Sequence, residues 1–96
     1  MSGQRCETIV EGTERIASEI ATGREAAHAK HGENSIEAIS SDNVGRWLPI
    51  LGEEFGEVCE ALTYDKDSGN LRAELVDVAT VAIAWIAAID RGAVES

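Results

Sequence analysis

The sequence predicts an all-α fold: an antiparallel bundle of about three main helices per chain, completed by dimerisation or a higher oligomer. Three observations carry that expectation. Apolar residues recur at spacings of three and four along three separate stretches. The breaks between these stretches are polar and rich in turn-forming residues. Fourteen alanines against four aromatics suit closely packed helices, yet leave a 96-residue chain little core volume of its own.

The first helix covers roughly residues 7–30. Ile9, Thr13, Ile16, Ile20, Gly23 and Ala27 share one face, and Gly32 supplies a stop. Gly12 and Gly23 weaken it locally, by about 1 kcal/mol each relative to alanine. Residues 32–43 read as a loop with a short helical turn. The second helix begins between Asn43 and Trp47, with Ser41, Asp42 or Asn43 as its N-cap, and ends near Thr63. Pro49 fits a first turn. Leu48, Leu51, Phe55, Val58 and Leu62 form its apolar stripe. Residues 64–70 are a turn by composition. The third helix covers roughly residues 71–91, with Ser68 or Asn70 as cap and Gly92 as stop. Residues 75–89 are apolar nearly all round, the pattern of a helix buried on every side. With three helices per chain, a second subunit meets that need most simply. The short turn before it makes the second and third helices antiparallel neighbours.

One domain, residues 1–96, accounts for the chain, with its motif-bearing core at residues 47–91. Eight Lys and Arg against 18 Asp and Glu leave a net charge of −10. That balance argues against nucleic-acid binding through basic residues and against a polybasic membrane anchor. The first ten residues lack the apolar core of a secretory signal. Residues 75–89 are too short for a comfortable membrane span. Cys6 and Cys59 form no C-x-x-C pair, so neither a disulfide framework nor a thiolate metal site is expected. The expected location is the cytoplasm.

Several carboxylates break their helices' patterns. With Leu48 set to zero and about 100° per residue, the second stripe lies near 280–360° and Trp47 near 260°. Glu54 then falls at about 240°, inside the apolar arc, and Glu57 at about 180°, on its border. Glu53 and Glu60 lie outside. On the third helix, Glu74 falls between Val81 and Trp85, and Asp77 between Ala84 and Ala88. Each helix thus carries an acidic pair at i, i+3, and the hairpin brings the two pairs together. Four buried anions without compensation would protonate or unfold the site. A hard divalent cation is the simplest neutraliser, and all-oxygen ligation suits Mg²⁺ or Mn²⁺.

Glu53-Glu54-Phe55-Gly56-Glu57, sixteen further residues, then Glu74-Leu75-Val76-Asp77: this arrangement resembles the E-E-x-x-E…E-x-x-D signature of the MazG-like, all-α nucleoside triphosphate pyrophosphohydrolases. The likeness covers residues 47–91. It implies a Mg²⁺-dependent hydrolase, usually dimeric or tetrameric, that splits a (deoxy)nucleoside triphosphate into the monophosphate and pyrophosphate. By position it makes Glu54, Glu57, Glu74 and Asp77 the metal ligands. Glu53 becomes a supporting carboxylate, so that Glu53 and Glu54 are the candidates for activating water. Where many relatives carry an aromatic one turn after the last Asp, this chain has Val81.

Three residues are candidate substrate contacts. Trp47 could stack on a base or belong to the core; Lys66 and Arg72 could meet phosphate oxygens. His28 and His31 lack a further histidine at ligand spacing and read as structural or exposed. The competing expectation is non-catalytic: an acidic helical dimer serving as a protein-interaction module or as a metal–nucleotide sensor.

Overall fold

A computed structural model of the chain describes residues 6–39, 45–65 and 68–93, and every regular element among them is helical. Helix α1 spans Ile9–His31 and is followed by 3₁₀ turns at Gly32–Asn34 and Ile36–Ala38. Helix α2 spans Trp47–Glu60 and continues into a π turn at Ala61–Asp65; α3 spans Ser68–Asp90.

The ends follow from local chemistry. Thr8 caps α1 through a capping box: its hydroxyl accepts from the Glu11 N–H at 3.0 Å, and Glu11 accepts from the Thr8 N–H at 2.9 Å. At the other end Gly32, with φ 55°, donates its N–H to the His28 carbonyl. Gly92 closes α3 at φ 77°. Its N–H reaches the Ile89 carbonyl at 3.0 Å while Ala93 reaches Ala88 at 2.9 Å, a Schellman closure that requires a left-handed residue. Helix α2 differs from expectation. Its cap position is Arg46, which makes no side-chain cap bond, and Ser41, Asp42 and Asn43 lie outside the described residues. Pro49 is the third residue of α2, where a missing N–H breaks no intrahelical bond.

One ring contact sets the geometry of the hairpin. Trp47, at the start of α2, stacks on Trp85, near the end of α3, with ring centroids 5.9 Å apart and planes 9° from parallel. The helices are therefore antiparallel. Helix α1 runs in the same direction as α3. Arg72, early in α3, forks onto Glu19 at 2.9 and 3.1 Å, and Arg91, just past its end, donates to the Glu37 carbonyl beyond α1 at 2.9 Å.

The core is small. Ile39, Trp47, Val81, Ala84 and Ala88 form its buried centre, with Ile50, Leu51, Trp85 and Ile89 packed around it. The indole N–H groups of both tryptophans are buried without a hydrogen-bond partner among the described residues, so the stack rests on apolar packing and ring contact.

The buried faces are rotated from those the periodicity predicts. Leu48, Phe55 and Leu62 are 60–66% exposed, whereas Trp47, Val58 and Ala61 are buried. The largest apolar side chain, Trp47, turns its own edge of the stripe towards α3 and leaves the opposite edge in water. Helix α3 is likewise covered on one side only within a single chain: Leu75, Ile83 and Ile86 remain 45–57% exposed. Of the apolar face of α1, only Ile20 is fully buried, and Ile9 is 89% exposed. Forks from Arg72 to Glu19 and from Arg24 to Glu37 hold α1 in place, each pair stabilising by roughly 0–1 kcal/mol.

Trp47→Ala is expected to lower the unfolding free energy by about 3–5 kcal/mol. Ile9→Ala, by contrast, should change it by less than about 0.5 kcal/mol. Urea denaturation followed by circular dichroism separates the two; equal losses would place the core elsewhere.

Candidate metal centre

The rotation that buries Trp47 also turns Glu54 inward. Glu54 lies seven residues after Trp47 and seven before Ala61, both buried, so it rides on the same line of α2. It is half-buried among them. On α3, Glu74 and Asp77 occupy the side that also presents Val81, Ala84 and Ala88 to the core, matching their expected places. Closing the hairpin brings these side chains together. Glu54, Glu57 and Asp77 each offer a carboxylate oxygen, and the three oxygens all lie within 4.8 Å of one another. Glu74 lies close enough to Glu57, and Glu57 to Glu54, for each to disturb the other's titration.

The electrostatics follow from that crowding. Burial, the close approach of Glu57 and the charges of Glu57, Asp77 and Glu74 together push Glu54 up to about 7. The close approach of Glu57 raises Glu74, helped by burial and by the charges of Glu57, Asp77 and Glu60. Burial and the Glu57 charge raise Asp77. The described ion pairs run from Arg15 to Glu7, from Arg24 to Glu37 and from Arg72 to Glu19, so none of these cations serves the cluster.

The donor set fits a hard cation. With Mg–O bonds of about 2.0–2.1 Å, opposite ligand oxygens stand about 4.2 Å apart. Small rotations about the Glu and Asp side chains would bring oxygens already within 4.8 Å onto one ion, water completing its shell. The charge also fits: a divalent ion would offset the repulsion among these carboxylates.

Other predicted residues are placed differently. Glu53 is exposed, about 100° around α2 from Glu54, and stands outside the cluster. Trp47 is completely buried with one face against Trp85. The base contact expected of it is therefore corrected to a core role, because no open ring face remains. Arg72 is corrected as well. It lies about 160° around α3 from Glu74, and both arms of its guanidinium are engaged by Glu19. Lys66 lies outside the described residues.

Sequence spacing missed one polar network. Ser35, the buried polar residue of the loop, lies with its hydroxyl 2.6 Å from His28 Nδ1. Nearby, Glu37 takes a fork from Arg24 at 2.6 and 3.0 Å. No helical pattern reveals this, since His28 meets Ser35 only after the chain reverses at Gly32.

A raised carboxyl pKa has a definite sign in stability. Glu54 binds a proton more tightly folded than unfolded, so its contribution is full below about 4.5 and is lost as pH rises through about 7. Glu7, Glu19 and Glu37 act oppositely: paired with arginines, they lose stabilisation as pH falls through their lowered values. The metal-free protein should therefore be most stable near pH 5–6. Its Tm should fall on going to pH 8 by on the order of 4–8 °C, corresponding to about 1 kcal/mol once solvent screening is allowed for. Adding Mn²⁺ at pH 8 should restore it. A Tm that rises steadily from pH 5 to 8 without metal would contradict the inward placement of Glu54.

No family model matches the chain, and neither does any curated protein or solved structure.

Proposed function

We propose that this protein is a metal-dependent hydrolase that splits a (deoxy)nucleoside triphosphate into the monophosphate and pyrophosphate, the activity implied by its resemblance to MazG-like enzymes. The observation that carries this reading is the meeting of Glu54, Glu57 and Asp77 from two antiparallel helices, with oxygens within 4.8 Å of one another. Mg²⁺ or Mn²⁺ held there would screen the triphosphate's charge and lower the pKa of bound water. Through such an ion a chain of net charge −10 can hold a polyanion.

The residues divide the work by position. Glu57 and Asp77 are the central ligands. Glu74, close to Glu57, is the fourth carboxylate of the set. Glu54, half-buried beside Glu57 and Asp77, is the carboxylate placed to share the ion or to take a proton from the attacking water. Glu53 is the exposed alternative for orienting water from outside the cluster.

The same reading includes a homo-oligomer, a dimer or tetramer, in a cytoplasmic setting. The chain exposes 6861 Å², where a compact monomer of its mass exposes about 5,300 Å². Its radius of gyration is 15.6 Å, against about 12–13 Å for a compact chain of this length. Leu48, Phe55 and Leu62 line the uncovered edge of α2, the kind of row a partner helix would cover. No helix of the described residues is long and apolar enough to cross a membrane.

The placement of Trp47 and Arg72 away from the cluster favours a second reading, a non-catalytic metal–nucleotide sensor or interaction module. Pyrophosphate release, assayed over the eight common (d)NTPs with Mg²⁺ or Mn²⁺, decides between them. Hydrolysis of at least one is expected, lost in Glu57→Ala and in Asp77→Ala with helicity unchanged. Full activity in either variant would refute the ligand assignment, and silence of the unmodified protein across the panel with metal still bound would favour the sensor. For the oligomer, Phe55→Glu should shift the sedimentation coefficient to that of a monomer; no change would remove this edge of α2 from any interface.

A further inference from the structure

We propose that the trough between α1 and α3 is a binding site for a small amphipathic carboxylate, separate from the acidic cluster and independent of the hydrolase reading. The trough encloses about 490 Å³, a volume within the range of small-molecule sites, about 300–1,000 Å³. Ala17, Ile20 and Ala21 of α1 face Ile83, Ala84 and Ala87 of α3 across it. These side chains are short, and the gap between them is left unfilled. An alkyl-lined gap of this size forfeits dispersion contacts along both walls, and an apolar body seated in it would recover them.

The polar groups on the lining define the other end of the ligand. Most already have partners. Arg24 is forked onto Glu37, the Thr80 hydroxyl donates to the Val76 carbonyl at 2.7 Å, and His28 Nδ1 meets Ser35. Two groups remain, Arg91 and Glu25. Arg91 donates one N–H to the Glu37 carbonyl at 2.9 Å. That bond fixes the guanidinium while its remaining donors and its charge meet no carboxylate among the described residues. Glu25 and Arg91 are both exposed on the rim, but Glu25 has no anchoring bond among the described residues. A fixed cation with free parallel donors matches a carboxylate head group, and holding it still in advance lowers the ordering cost of binding. The ligand class is thus one apolar body bearing one carboxylate.

Isothermal titration of the full chain with decanoate and with decylamine tests this. Decanoate should bind one-to-one, at least about tenfold tighter than the amine, and Arg91→Gln should remove about that preference. Ala21→Leu fills the trough from its exposed side. It should weaken decanoate by at least about tenfold while leaving helicity and Mn²⁺ binding intact. Equal binding of amine and acid would overturn the role of Arg91. Undiminished decanoate binding in Ala21→Leu would overturn the site. So would an absence of decanoate binding together with dissociation of an oligomer by Ala21→Leu, because the occupant would then be a second copy of the chain.

Discussion

The stack of Trp47 on Trp85 fixes how α2 is rotated against α3, and the acidic cluster depends on that rotation. A helix can turn about its axis with little change in its own hydrogen bonds, so its setting is decided by whichever side chains gain most from contact. Here two large rings meet nearly parallel at 5.9 Å, with neither indole N–H hydrogen-bonded among the described residues. Because Glu54 lies two turns along the same line as Trp47, seating the ring also seats the carboxylate. A rotation that instead buried Leu48 and Phe55 would carry Glu54 towards solvent and part it from Asp77.

The cluster is consequently an electrostatic liability built into an apolar contact. Glu54, Glu74 and Asp77 all hold their protons more firmly than isolated acids, and Arg15, Arg24 and Arg72 are committed to other carboxylates. Protonation relieves the repulsion in the metal-free chain. A divalent cation relieves it more completely, since its charge is concentrated where the oxygens converge. Metal affinity and folding stability are thereby linked through the same few oxygens.

Helix α1 stands in a different relation to the rest. One fully buried isoleucine and two arginine forks hold it, while the loop after it is pinned by Ile39 in the core and by Ser35 against His28. Exposed ion pairs contribute little individually, so α1 is the element whose attachment is weakest. Its looseness leaves the alkyl-lined trough on one side of α3. The uncovered edge of α2, with Leu48, Phe55 and Leu62, is a second apolar surface. Both express the same shortage: a chain of this length has more apolar side chains than its own three helices can enclose.

The sequence by itself determined the helices and their stops at Gly32 and Gly92, because each is set by local periodicity or by a left-handed glycine. It placed Glu54 on the buried side of α2, but the burial expected of the whole acidic set does not hold, since Glu57 is exposed. Only the tertiary structure decided which edge of each apolar arc is buried. The stripe of α2 is wide enough to be seated on Leu48 and Phe55 or on Trp47 and Val58, and periodicity alone does not rank them. It also decided the fates of Trp47 and Arg72. Whether an aromatic packs against another ring, or a guanidinium meets a carboxylate 53 residues away, depends on neighbours that spacing within one helix does not encode.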